Sequence, residues 1–200
     1  KKTLAVATLA IAILLSGCSQ VGAAARVGSV KITQTTVQSS IDAILAARVG
    51  VDTSQMQLQT GEELNRGQLR FHLLTELLRA AASELKISTS KAEIDTRRQS
   101  IIEQVGGIES LPAALVGAGI ARDDFDKYIE AISLSDKISQ ALITSGVAQA
   151  DIGTAVQEIV VAKAKELGVT VNPRYGVWDA KIADVVALDS ASPAVTPATK

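Results

Sequence analysis

Two hundred residues carry 47% apolar and 20% charged side chains, enough to bury one ordinary core and too apolar for a disordered chain. Only five residues are aromatic (Phe71, Phe125, Tyr128, Tyr175, Trp178) against 31 alanines, so an aliphatic, Ala-packed helical core is favoured over a β-sandwich, with no stacking platform for single-stranded nucleic acid. Twenty Lys and Arg balance 21 Asp and Glu without a basic run, which speaks against any nucleic-acid partner; one cysteine (Cys18) and one histidine (His72) cannot supply a disulfide, a Cys/His zinc site or a Cys-His nucleophile.

Lys1 and Lys2 precede twelve uncharged residues, Leu4 to Leu15, a stretch too short to span a bilayer and suited to a secretory signal. Leu15-Ser16-Gly17-Cys18 then resembles the bacterial lipoprotein lipobox. That resemblance implies a signal peptide over 1–17, a diacylglycerol on Cys18, and a tether over 18–24 leading to an extracytoplasmic domain held on the membrane by acyl chains. Removing 1–17 takes away two lysines and no acid, leaving a mature charge of −3. More than one acyl chain on one residue anchors durably where a single chain is marginal.

Beyond the tether, Val27, Val30 and Ile32 around Gly28-Ser29 read as a short strand or a two-stranded kink. Thr33 opens a helix with Val37, Ile41, Ile44 and Leu45 on one stripe. After a polar connector over 49–59, Thr60-Gly61-Glu62-Glu63 reads as a capping box starting the longest helix, which runs to about Leu85 with apolar residues on more than one face. Ser90-Lys91-Ala92-Glu93 is a second capping box, opening a helix with Ile94, Ile101, Ile102 and Val105 inward and Gly106-Gly107 as its stop. A short helix follows Pro112 and ends near Gly119. Asp123 and Asp124 sit in the first turn of the next helix, striped with Phe125, Ile129, Ile132, Ile138 and Leu142. Asp151 caps a final helix stopped by Gly168; Val169 to Val177 suits an edge strand around Pro173; and from about Ala180 the Ala, Ser, Thr and Pro content predicts a loose tail over 180–200.

The order of these pieces, with Ala25-Arg26-Val27-Gly28-Ser29-Val30-Lys31-Ile32-Thr33, Ser90-Lys91-Ala92-Glu93-Ile94, Leu115-Val116-Gly117-Ala118-Gly119-Ile120, Asp124-Phe125-Asp126-Lys127-Tyr128-Ile129 and Val171-Asn172-Pro173-Arg174-Tyr175-Gly176, resembles the N-terminal chaperone module of the SurA/PrsA-type export foldases and the related trigger-factor substrate-binding region. The resemblance covers about 25–178. It implies a mainly α domain over 25–179, of five to six helices, whose start (Ala25 to Ile32) and end (Val169 to Tyr175) pair in a small two-stranded clasp. Four departures stand out. SurA- and PrsA-like proteins usually insert parvulin isomerase domains where this chain has seven residues, 144–150. A parvulin site draws on paired histidines, and only His72 is present, so isomerase activity is not expected. Gly28-Ser29 replaces the usual Asn-Gly, and Ala121 stands where Ser or Thr usually precedes Arg122.

Without an enzyme site, the resemblance implies an ATP-independent holdase for unfolded exported polypeptides; Met56, Leu58, Leu69, Phe71, Phe125 and Tyr128, apolar positions able to face a surface, are the candidate groove residues, and the alternative is a structural or accessory lipoprotein docking to one fixed cell-envelope or membrane-complex partner. No cofactor beyond the acyl lipid on Cys18 is expected. His72 on a helical run reads as a core or groove residue, not a metal ligand. Asp123, Asp124 and Asp126 read as helix N-terminal charges, lacking the loop of a calcium hand. Gly106-Gly107 and Gly117-Ala118-Gly119 read as helix stops, Arg97-Arg98 as a solvated face, and Asn172 to Gly176 as structural pairing with Trp178 as a packing anchor. A Ser/His/Asp hydrolase is disfavoured by the single histidine and the absence of a nucleophile elbow.

Overall fold

The first strand, β1 (Ala23–Val27), reverses through Gly28-Ser29 into β2 (Val30–Thr33), with Val27 opposite Val30 and Gly28 at φ 56°, the left-handed region that glycine reaches without strain. These elements come from a computed structural model that describes residues 21–188. The signal and residues 18–20 of the proposed tether, Cys18 among them, fall outside the described residues, as does the chain beyond 188. Thr33 then caps α1 (Gln34–Val49), its hydroxyl accepting from Thr36 N–H.

Helices α2 (Gly61–Glu84), α3 (Lys91–Gln104), α4 (Leu111–Ala118), α5 (Phe125–Thr144) and α6 (Ile152–Leu167) follow, then β3 (Val169–Val171), β4 (Val177–Asp179) and β5 (Asp184–Val186). The fold is mainly α, six helices with a small strand clasp joining the two ends. The clasp has three strands rather than two, in the order β2-β1-β3, because the first segment supplies a hairpin and not one strand. In the antiparallel β1–β3 pair Ala25 faces Val171, Arg26 faces Thr170 and Val27 faces Val169. Two further bonds extend it: Asn172 N–H donates to Ala24 O at 2.9 Å, and Gly28 N–H to Gly168 O at 3.0 Å.

α2 is the central rod. Leu64, Leu69, Leu73 and Leu77 are sealed from solvent, and a fully buried leucine stabilises by roughly 2 kcal/mol. Around α2, one cluster joins β1, α1, α6 and Val185 of β5; a second joins Ala81 and Ala82 to Leu134 and Ile138 of α5. A third lies under α3 and α4, where Leu111, Leu115, Phe125 and Ile129 take up Ile94, Ile101, Ile102 and Val105. Those four side chains, three on α3 and Val105 at its C-cap, do face inward but stay half-buried, and α3 contributes no buried residue.

Several boundaries differ from the sequence reading. Ser90 and Glu93 form the expected reciprocal capping box, whereas Thr60 caps through its backbone alone: Gly61 adopts φ 51°, a left-handed first step that carries the hydroxyl out of line. Asp151 makes no side-chain cap either, because a 3-10 turn, Gln149–Asp151, leads into α6. The segment around Pro173 is not one strand: Asn172 Oδ1 accepts from Arg174 N–H at 3.0 Å and a 3-10 turn over Pro173–Tyr175 divides β3 from β4. The tail expected from Ala180 is also corrected. β5 pairs with β4, Ala183 and Val185 are buried, and Arg70 of α2 grips Asp184, so the domain continues past 179. At the other end β1 already begins at Ala23, inside the proposed tether.

Candidate functional site

The six proposed groove residues separate into three groups. Leu69 is fully covered and Phe125 is 5% exposed, so neither presents a surface to a polypeptide, contrary to expectation. Helical period explains Leu69: with Leu73 and Leu77 it lies at i, i+4, i+8 on the face that meets the core, while Phe71 turns away by about 200°. Phe125 begins α5 and points under α4, into the cluster with Leu111 and Leu115. Met56 and Leu58 are half-buried on the connector between α1 and α2. The structure brings together Phe71 and Tyr128.

These two half-buried rings line a cleft of about 280 Å³ between α2 and the 118–121 segment, with Gln59, Gly67, Arg70 and Ile120 also on its walls. Its shape follows from local contacts. Gln68 Nε2 donates to Gly119 O at 2.8 Å, holding the end of α4 against α2, and Gly119 caps α4 at φ 66°. Gly67 leaves room for the Gln59 side chain, whose amide oxygen lies 2.5 Å from where a Cβ would stand. The cleft lies near the lower end of ligand-sized cavities, roughly 300–1,000 Å³, with room for one or two side chains of a larger chain. A wider concavity, about 520 Å³ between α3 and α5, is lined by Glu93, Arg97, Asp136 and Lys137, which pair as Arg97–Asp136 (3.1 Å) and Lys137–Glu93 (2.6 Å). Paired charges span it, over a floor that includes Ala92, Thr96, Ser100 and Ser133. Lys137, then the Ser90 N–H and hydroxyl, hold the Glu93 carboxyl down to about 2.

Behind the cleft lies a buried polar cluster. Phe71 leans on the His72 ring, centroids 5.0 Å apart. His72 Nε2 is 3.0 Å from Ser40 Oγ of α1; Ser40 Oγ donates to Asp124 Oδ2 at 2.5 Å; Lys127 Nζ donates to Asp124 Oδ1 at 2.8 Å and faces His72 Nδ1 at 3.5 Å. Ser40, His72 and Asp124 are all under 9% exposed. The residue types are those of a nucleophilic triad, but the order is wrong. The carboxylate takes the serine proton instead of orienting the far imidazole nitrogen, which faces an ammonium. With its hydroxyl proton committed to Asp124, Ser40 can only accept from Nε2–H, and Nδ1 is left to accept from Lys127. The arrangement locks three elements together.

Sequence reasoning placed His72 and Asp124 separately and missed Ser40 and Lys127. A signal was present: Gln68, His72 and Thr75 recur at i, i+4, i+7 along α2, and Ser40 stands inside the Val37-Ile41-Ile44 stripe of α1, so polar residues occupy core-facing positions. All four are buried. The other acids behave as expected: Asp123 is exposed, and Asp126 pairs with Arg98. Arg97 and Arg98 sit in ion pairs on an open face.

Among the described residues no group of three or more His, Cys, Asp or Glu side chains converges to hold a metal, and no helix is long and apolar enough to cross a membrane. No protein-family model matches the chain, and neither does any curated protein or solved structure.

Proposed function

We propose that this chain is a lipid-anchored, extracytoplasmic holdase that shelters apolar side chains of unfolded exported polypeptides without ATP and without prolyl isomerisation. The observation that carries the reading is the open cleft of Phe71, Tyr128 and Ile120, half-apolar and sized for a side chain, on a helical body whose two ends are clasped. Weak, shallow contacts of this kind favour broad selection over tight binding. The order of sequence segments that resembles the SurA/PrsA-type module supports the same reading, and the lipobox-like Leu15-Ser16-Gly17-Cys18 supports the anchor.

The test is suppression of aggregation of an unfolded reporter by the chain from Ser19 onward at near-stoichiometric ratio. Suppression is expected, weakened several-fold by Phe71→Ser together with Tyr128→Ser under conditions where both proteins remain folded. A folded, monomeric protein that suppresses nothing would overturn the reading.

A second reading, docking to one fixed envelope partner through the same cleft, draws on the sealing of Leu69 and Phe125, which leaves one small cleft in place of a long trough. Mild crosslinking separates the two. A spread of exported proteins supports the holdase; one partner at fixed stoichiometry supports docking.

A further inference from the structure

Four side chains from three elements meet behind the cleft: Ser40 from α1, His72 from α2, and Asp124 with Lys127 from the turn and first helical residues of α5. We infer that this cluster is an acid-sensitive latch that pins α1 and the 119–125 segment to α2, and that releases when the imidazole takes a second proton. The inference does not depend on what the neighbouring cleft binds.

The geometry decides the sign. Nε2 carries the imidazole proton and gives it to Ser40 Oγ, so the only nitrogen left to protonate is Nδ1. Nδ1 lies 3.5 Å from the Lys127 ammonium. A second proton therefore sets N–H against N–H and places two cations side by side, the imidazole 4% exposed and the Lys127 side chain, at 29%, only partly screened by water. Burial, foremost, then the Lys127 charge, push the His72 pKa down to about 4, with Asp124 pulling the other way and Arg79 adding to the depression.

The surrounding charges do not cancel this. Burial works to raise the Asp124 carboxyl, yet the hydrogen bonds from Lys127 and Ser40 hold it below its ordinary value, which favours the carboxylate. It is already committed to both donors. Arg79, on the same helix as His72, is held by Glu130 of α5 and Glu76. Ser40 is the group that α1 turns toward the ring, and it does not titrate. The remaining charges on α2 that meet other elements pair away from the cluster, Arg70 with Asp184 of β5 and Glu84 with Lys163 of α6.

A histidine whose folded pKa lies below its ordinary 6.5 stabilises the closed state fully above 6.5 and loses that contribution as pH falls through 4. Between pH 7 and pH 4 the closed-to-open ratio should fall roughly a hundredfold on account of this one group.

His72 is the chain's single histidine, so its imidazole NMR signal stands alone. The experiment titrates that signal in the whole chain in non-ionic detergent and follows amide exchange at pH 7 and pH 4, corrected for intrinsic rates. The ring is expected to titrate near 4, with protection over 36–44 and 119–125 falling roughly a hundredfold. Lys127→Gln should raise the titration midpoint, and His72→Gln, which keeps an amide donor and takes no proton, should lose the pH slope between 6.5 and 4. A ring that titrates near 6.5, or a midpoint unmoved by Lys127→Gln, overturns the latch. So does a wild-type slope in folded His72→Gln; should that variant fail to fold, the ring titration and Lys127→Gln decide alone.

Discussion

Gly176 shows how one residue can hold an element in place. It sits at φ 129° and ψ −158°, a region open in practice only to glycine, and a Cβ there would lie 2.3 Å from the Val186 carbonyl oxygen and 3.2 Å from Val185 Cγ1. Because the obstruction is backbone, no rotamer change relieves it. Gly176→Ala should therefore lower stability by about 3 kcal/mol, through left-handed strain and the forced separation of β4 from β5. Gly153, in the first turn of α6 with nothing within 4 Å of its would-be Cβ, is the contrast: Gly153→Ala should stabilise by about 0.5 kcal/mol. Urea midpoints of the two variants check both signs, and equal effects would refute the steric account. The cost at Gly176 is not visible in its neighbours along the chain, since it depends on Val185 and Val186, which folding brings alongside.

At the scale of elements, the helices were legible because each carries its own signal: an apolar stripe, a stop glycine such as Gly107 or Gly168, a Ser90-Glu93 box. The start of α3 is read correctly because its cap lies within four residues of itself. Thr60 carries the same kind of signature but fails as a side-chain cap, because Gly61 permits a left-handed step that composition does not announce. β5 was missed for a different reason. Asp184-Val185-Val186 is three residues long beside an Ala/Ser/Pro/Thr-rich stretch, and what makes it a strand is distant: β4 beside it, Arg70 gripping Asp184, and Gln157 of α6 donating to Ile182 O. This gives the hairpin a measurable role. A chain ended at Lys181 should be less stable than one ended at Leu188 by about 2–3 kcal/mol, chiefly from lost burial of Val185 and Ala183, with the half-exposed Arg70 pair adding little. Comparing denaturant midpoints of the two chains tests it; equal midpoints would return this segment to the status of a tail.

At the scale of the molecule, the two candidate features were legible to unequal degrees for the same reason. Phe71 and Tyr128 could be picked out one at a time as apolar positions able to face a surface, whereas the Ser40-His72-Asp124-Lys127 cluster exists only because α1, α2 and α5 cross at one level. That crossing also predicts where the fold gives way. α2 and β1 are enclosed on several sides, and β1 pairs with β3 across more than 140 residues, so their amides can exchange only when most of the structure opens. α3 has no buried residue. Half-buried isoleucines hold it on α4 and α5, with the solvent-screened ion pairs Lys137–Glu93, Arg97–Asp136 and Arg98–Asp126 at its open face adding little. In native-state hydrogen exchange at neutral pH, amides of Ile101 and Ile102 should therefore exchange by local opening, at least tenfold faster than those of Leu73 and Leu77 and insensitive to low denaturant. Arg26 and Val27 of β1 should exchange with α2, and slow down or speed up in step with it as stability is changed. If α3 proved as protected as α2, its hold on the body would have to be cooperative with the central rod, and the three apolar clusters would then act as one core.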